Sequence, residues 1–262
     1  MLPRRGLELT PFSDAVFDAA LEWVVANLEY FGPCSCKQEE LVARSQSLAE
    51  LAVLVLCSEQ HVPQRVTPHR DRLAEFFSES WKTREAMDPL LRMPEGISLV
   101  GYIYAGLKCL GRAETQDCEL VQSLLDACYL EQNESLPHRT MDVRLALEWG
   151  GFVPNLPGWD ELCEMSIIAQ RLRVPYVTDA SAYALTHALF FAVAFGTRAE
   201  PAMLLLRKRA VAKILTQLLV TFSLARHWDI LGELLLCWEC LHLEETVIYR
   251  RAWDLFFGQT AG

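Results

Sequence analysis

An all-α fold follows from three observations. Apolar residues recur at three- and four-residue intervals almost throughout, no segment alternates with β-branched enrichment, and short turns rich in Gly and Pro separate the periodic runs. With 52% hydrophobic and 22% charged residues over 262 positions, the chain has the apolar area of a packed protein rather than a disordered one. Its length sits near the upper limit for one core, so residues 1–262 are expected to form a single domain with frayed termini. About eleven helices joined by hairpin turns predict an α/α toroid-like or layered helical bundle, each helix burying one stripe.

The helices follow in order. Ser13 and Asp14 cap a first helix to about Tyr30, whose stripe is Val16, Phe17, Ala20, Trp23, Val24 and Leu28, and Gly32-Pro33 stops it. A second runs from about Lys37 to Glu59. Pro63 and Pro68 make a bend, and a third helix spans Arg70 to Met87. After Pro89, Pro94 and Gly96, helices are expected at Ser98–Lys108, Thr115–Leu130 and Pro137–Trp149, the last closed by Gly150-Gly151. Beyond a Pro-rich link lie Trp159–Leu172, Asp179–Phe195, Pro201–Ala225, Trp228–Leu241 and Glu244–Phe257.

Charge and composition exclude several classes. A formal charge of −10 argues against a phosphate backbone as main ligand, because nucleic-acid binding draws on clustered cations. The cluster Arg207-Lys208-Arg209 opens a helix among apolar residues and is expected to be a solvated face. No apolar run reaches the roughly 18 residues of a membrane span. The start Met1-Leu2-Pro3-Arg4-Arg5 lacks a following apolar stretch, so a cytoplasmic location is expected. Nine cysteines, an odd count, sit mostly alone in helical patterns (Cys57, Cys109, Cys118, Cys128, Cys163), where they act as small hydrophobes. Neither Cys34-Ser-Cys36 nor Cys237-Trp-Glu-Cys240 has the second ligand pair a structural zinc requires, so neither metal nor other cofactor is expected.

One stretch carries the densest chemistry. Four-residue steps place Asp179, Tyr183 and His187 on one helix face, with Thr186 and Phe190 beside them. Such a row forms a proton path or an oriented base, because a neighbouring hydroxyl or carboxylate fixes the tautomer of a histidine that titrates near neutrality. The competing reading makes Thr178 or Asp179 a helix cap and His187 a satisfied core residue.

A second stretch holds Arg139 and Asp142, three apart at a helix start. They form either an anion anchor built on the planar guanidinium or an exposed helical ion pair. In a third, Asp229 and Glu233 lie one turn apart, as paired carboxylates dividing acid and base roles or as early-helix acids favoured by the dipole. Lys108 near its helix end is either a buried amine or a snorkelling one. Glycine-rich phosphate loops, the GxSxG elbow, HExxH and DDxxD are all missing from the sequence.

The segments Pro137-x-Arg139-x-x-Asp142…Leu147-Glu148-Trp149-Gly150-Gly151 and Tyr183-x-x-Thr186-His187-x-x-Phe190 resemble those of an uncharacterised bacterial family of helical proteins found beside natural-product genes. The resemblance covers the middle and C-terminal half. It implies an acidic residue before Phe-Gly, where this chain has Ala194-Phe195-Gly196. In setting, the chain is also similar to the paired helical proteins that close aziridine rings in azinomycin-type biosynthesis, where an amine displaces sulfate. That similarity implies a cofactor-free cyclase or lyase acting on a small anionic or amine-bearing substrate. His187, Asp179 and Tyr183 would then be catalytic, and Arg139, Asp142 and Thr186 would bind substrate.

The alternative is a non-catalytic helical subunit, heterodimeric or homodimeric, that binds another helical protein through Trp228, Trp238 and Trp253. The two readings part on whether the polar residues converge.

Overall fold

The computed structural model describes residues 11–32, 38–82, 93 and 96–260. It is all-α, with eleven helices of seven residues or more and no strand among the described residues. None of these helices is long and apolar enough to cross a membrane. The expected ends of the third helix beyond Lys82, the breaks at Pro33, Pro89 and Pro94, and Cys34 and Cys36 lie outside the described residues.

The chain divides into two compact units. The first comprises the residues up to Leu124 together with Trp149–Phe152. It contains α1 (Pro11–Ala26), α2 (Gln38–His61), α3 (Pro63–Val66), α4 (Arg70–Lys82), α5 (Gly96–Cys109) and α6 (Thr115–Asp126, to Leu124). Helix α2 buries Leu48, Leu51, Ala52, Val55 and Leu56, a spacing that makes one stripe, against α5. Helix α5 is buried on nearly every side, from Ile97 through Leu107, and so needs no polar face. Gly106 lets the two helices approach, since a Cβ there would lie 3.1 Å from that of Ala52.

The bend expected at Pro63 is instead the short helix α3, because proline is tolerated at a helix start. Its Arg65 holds α1 through Asp14 at 2.9 Å and Asp18. Lys108 is exposed and its Nζ donates to the Gly150 carbonyl, which places it as a helix-end cap. Gly151 is left-handed at φ 87°, as the expected stop requires, while a Cβ on Gly150 would meet the Phe152 ring at 2.6 Å.

The second unit comprises Leu125–Glu148 and Val153–Gly262. It holds α7 (Pro137–Gly150, to Glu148), α8 (Trp159–Met165), α9 (Asp179–Ala192), α10 (Ala202–Ala225), α11 (Trp228–Cys240) and α12 (Val247–Thr260). Helix α11 packs on α9, α10 and α12, burying Ile230, Leu231, Leu234, Leu235 and Cys237. Fully burying each of the larger aliphatic side chains contributes about 1.5–3 kcal/mol.

The helix expected over Trp159–Leu172 ends early. Ser166 turns extended, and its hydroxyl accepts from the Ile168 amide to start a short 3-10 turn, a local bond that competes with continued helix. Helix α9 likewise stops at Ala192, where Ala194, Phe195 and Gly196 take positive φ in succession. Arg226 at φ 54° closes α10, and the next residue, His227, caps α11 by accepting from the Ile230 amide.

Among the cysteines, Cys163 and Cys237 are buried as expected, but Cys128 is exposed at a left-handed position. Burial pushes the Cys240 thiol up to about 12 and that of Cys237 well above the usual range, so the CxxC pair is chemically quiet.

Candidate functional site

Helix α9 begins at the Thr178 cap, whose side chain accepts from the Ser181 amide at 3.2 Å, and this sets the phase of the polar row. Asp179 is largely exposed and lies 3.6 Å from His227 Nε2. Because His227 Nδ1 accepts a backbone hydrogen, the ring proton of its neutral form sits on Nε2, facing that carboxylate. One turn on, the Tyr183 hydroxyl donates to Asp229. The phenol is raised to about 12, first because ionisation would forfeit that hydrogen bond.

The next rung belongs to Thr186, His187 and Glu233. Thr186 is fully buried, and its hydroxyl lies within bonding distance of the Ala182 and Tyr183 carbonyls and of Glu233 Oε2. His187 Nδ1 is 2.8 Å from the Tyr183 carbonyl and 3.6 Å from Glu233 Oε2. A carbonyl can only accept, so Nδ1 carries the proton and the lone pair of the neutral ring is on Nε2. Edges of Tyr183, Phe190 and Phe191 surround the imidazole.

Burial pushes the Glu233 carboxyl upward, Asp229 adds to this, and Thr186 and His187 partly offset it. A raised carboxyl binds its proton more tightly folded than unfolded, so its contribution to stability is full below the unfolded value of about 4.3. That contribution fades as pH rises through the folded value. Glu233→Gln is therefore expected to gain stability relative to the wild type, from whatever value it starts, as pH rises from about 4. Urea midpoints across pH 4–8 check this, and a relative stability that falls with pH contradicts it.

Of the residues singled out in the sequence, α9 thus gathers Asp179, Tyr183, Thr186 and His187. Asp229 and Glu233, which form a separate pair in the sequence, stand opposite them on α11. Arg139 and Asp142 are on α7, the first exposed and the second half-buried. Their neighbour His138 lies within electrostatic reach of His187. Its pKa is lowered by burial first, and then by the charges of Arg139 and His187. Arg139→Gln and His187→Ala are each expected to raise the His138 midpoint in an NMR titration. An unmoved midpoint in both would separate α7 from the site.

A second polar cluster has no counterpart in the sequence reading. Glu148 forms an ion pair with Arg144, whose Nε lies 2.8 Å away, and accepts from Arg198 Nη2 and from Trp159 Nε1 at 3.2 Å. Arg198 stacks over the Trp159 ring at 4.2 Å, with Arg144 at 5.5 Å. Arg144 Nη1 also donates to the Leu156 and Pro157 carbonyls. The left-handed turn at Ala194–Gly196 is what delivers Arg198 to this cluster, so the departure from the expected acid there coincides with a structural device.

Two further readings change. Trp238 is 3% exposed and stacked on Tyr249, so it cannot anchor a partner. Arg207 and Lys208 are half-buried rather than solvated, Arg207 donating to the Ala169 and Gln170 carbonyls and Lys208 pairing with Glu200. Arg209 alone is exposed as expected.

A cleft of about 540 Å³ lies in the same unit, bounded by the 167–175 segment and α10. Its only contribution from α9 is Leu185. Positions two apart on a helix point about 200° apart, so cleft and His187 lie on opposite sides of α9.

Residues 17–258 match the family model described as a domain of unknown function (DUF6895), and the chain belongs to that family. No curated protein and no solved structure matches it.

Proposed function

We propose that the α9–α11 face is an acid/base site of a cofactor-free enzyme, or enzyme subunit, of small-molecule biosynthesis. The observation that supports this most is the orientation of His187: its Nδ1–H is held by a main-chain carbonyl, so Nε2 is the base. Protonation of Nε2 creates an imidazolium 3.6 Å from a carboxylate already oriented by Thr186. Tyr183 and Asp229 continue the row toward solvent, and Arg139 is the exposed guanidinium that this reading assigns to an anionic group.

Aziridine closure is the most specific reaction these groups suit. The amine lone pair attacks the carbon bearing a sulfate ester, the C–O bond breaks, sulfate departs with its electrons, and the ammonium proton passes to His187 Nε2. The simplest probe is 2-aminoethyl hydrogen sulfate. The wild type is expected to release sulfate faster than His187→Ala, and equal rates for the two proteins sink the assignment.

A second reading, a helical interaction subunit, draws on the exposed Leu206 and Leu224 of α10, 84% and 82% accessible, which recur on one face with Val220. Polar residues Arg209, Lys213 and Gln217 interrupt that row, so it is a weak seam.

A further inference from the structure

The cleft beside the 167–175 segment inverts the charge of the chain. The protein has 34 acidic and 24 basic residues, yet the cleft is lined by Arg171, Arg173, Arg207 and Lys213 and, among the described residues, by no acid. None of these four forms an ion pair with a described residue, whereas Arg65, Arg70, Arg144, Arg198 and Lys208 all do. Arg207 is anchored through Nη2 to two carbonyls, and its Nε is buried without a hydrogen-bond partner. Four uncompensated cations at one cleft repel one another, and an anion placed among them relieves that repulsion.

Apart from Gln170 and Gln217 the rest of the lining is apolar, including Ile168, Leu172, Leu185 and Ile214. A simple ion would leave this surface wet. At roughly 30 Å³ per water-sized group, 540 Å³ accepts on the order of twenty non-hydrogen atoms.

We infer that this cleft binds an amphiphilic organic anion, its carboxylate, sulfonate, sulfate or phosphate head held by Arg171, Arg173, Arg207 and Lys213 and its apolar body on Ile168, Leu172, Leu185 and Ile214. The planar guanidinium forks match an oxyanion in two-point contact, and the apolar floor supplies the transfer energy that a small ion lacks. The cleft is independent of the acid/base site, since His187 is on the other side of α9.

Anilinonaphthalene sulfonate and its uncharged counterpart, N-phenylnaphthylamine, share an apolar body and differ in the head group, so together they isolate the charge. The sulfonate is expected to bind the intact chain at one site, about tenfold or more tighter than the amine. Arg173→Glu with Lys213→Glu, both exposed side chains, should weaken it at least about tenfold, while Arg209→Glu, exposed and outside the cleft, should leave it nearly unchanged. Absence of sulfonate binding, equal affinity for the two dyes, or equal weakening in the Arg209 variant would each overturn the assignment. Should the paired variant unfold, Lys213→Gln alone applies the same criterion, with a measurable loss expected and unchanged affinity overturning it.

Discussion

Replacing Glu148 with Ala is expected to cost about 3 kcal/mol of stability, the larger structural effect among the polar groups of the second unit. Glu148 compensates two guanidiniums at once, and both are mostly withdrawn from water. Burial lowers the pKa of Arg198, Glu148 opposes that, and Arg144 reinforces it, so without the carboxylate two like charges remain side by side. Arg198 Nη1 is already buried without a partner, which leaves no slack for a second lost contact. Arg144 keeps its bonds to Leu156 and Pro157, and this holds the loss below that of a fully buried pair. Glu148→Gln retains an acceptor for Trp159 and should lose less. Urea unfolding measures both, and a loss below about 0.5 kcal/mol for Ala would mark the cluster as an ordinary surface pair.

The larger functional effect is expected at His187. A positioned general base contributes about 10²–10⁴-fold, so His187→Ala should lower sulfate release by that factor, or about 3–5 kcal/mol in the barrier. His187 is 37% exposed, and Thr186 and Tyr183 keep their own partners without it, so the fold should persist. Tyr183→Phe removes only the bond to Asp229 and should cost far less. Comparable losses in the two variants would mean that the Tyr183–Asp229 bond is as essential as the imidazole, against His187 as the sole base.

Much of the fold was legible because helical periodicity is a local property. The α2 stripe, the Gly150-Gly151 stop and the face shared by Asp179, Tyr183 and His187 all follow from spacing within a few turns. Ser166 shows where such reasoning fails, since a serine sits in a helix until its hydroxyl finds a nearer amide. Pro63 fails in the opposite sense, starting a helix where it was expected only to bend the chain.

Half of the candidate site was legible. Its α9 half is set by four-residue steps, but Glu233 and Asp229 reach it from 46 or more residues away, by the packing of α11. No local pattern encodes that pairing. Glu148 was visible only as part of a motif, because its partners Trp159 and Arg198 come from separate turns. The basic cleft was hidden for the same reason, with Arg171 and Arg173 in a loop and Arg207 and Lys213 on α10.

The proposed acid/base site turns on which ring nitrogen of His187 carries its proton. A ¹⁵N-edited histidine spectrum of the neutral ring, assigned with His187→Ala, distinguishes the two tautomers. The geometry predicts the Nδ1–H form with Nε2 unprotonated, and Glu233→Gln should preserve it because the Tyr183 carbonyl is the acceptor. A predominant Nε2–H form would contradict the account, for the imidazole would then turn a donor outward and could not take a substrate proton.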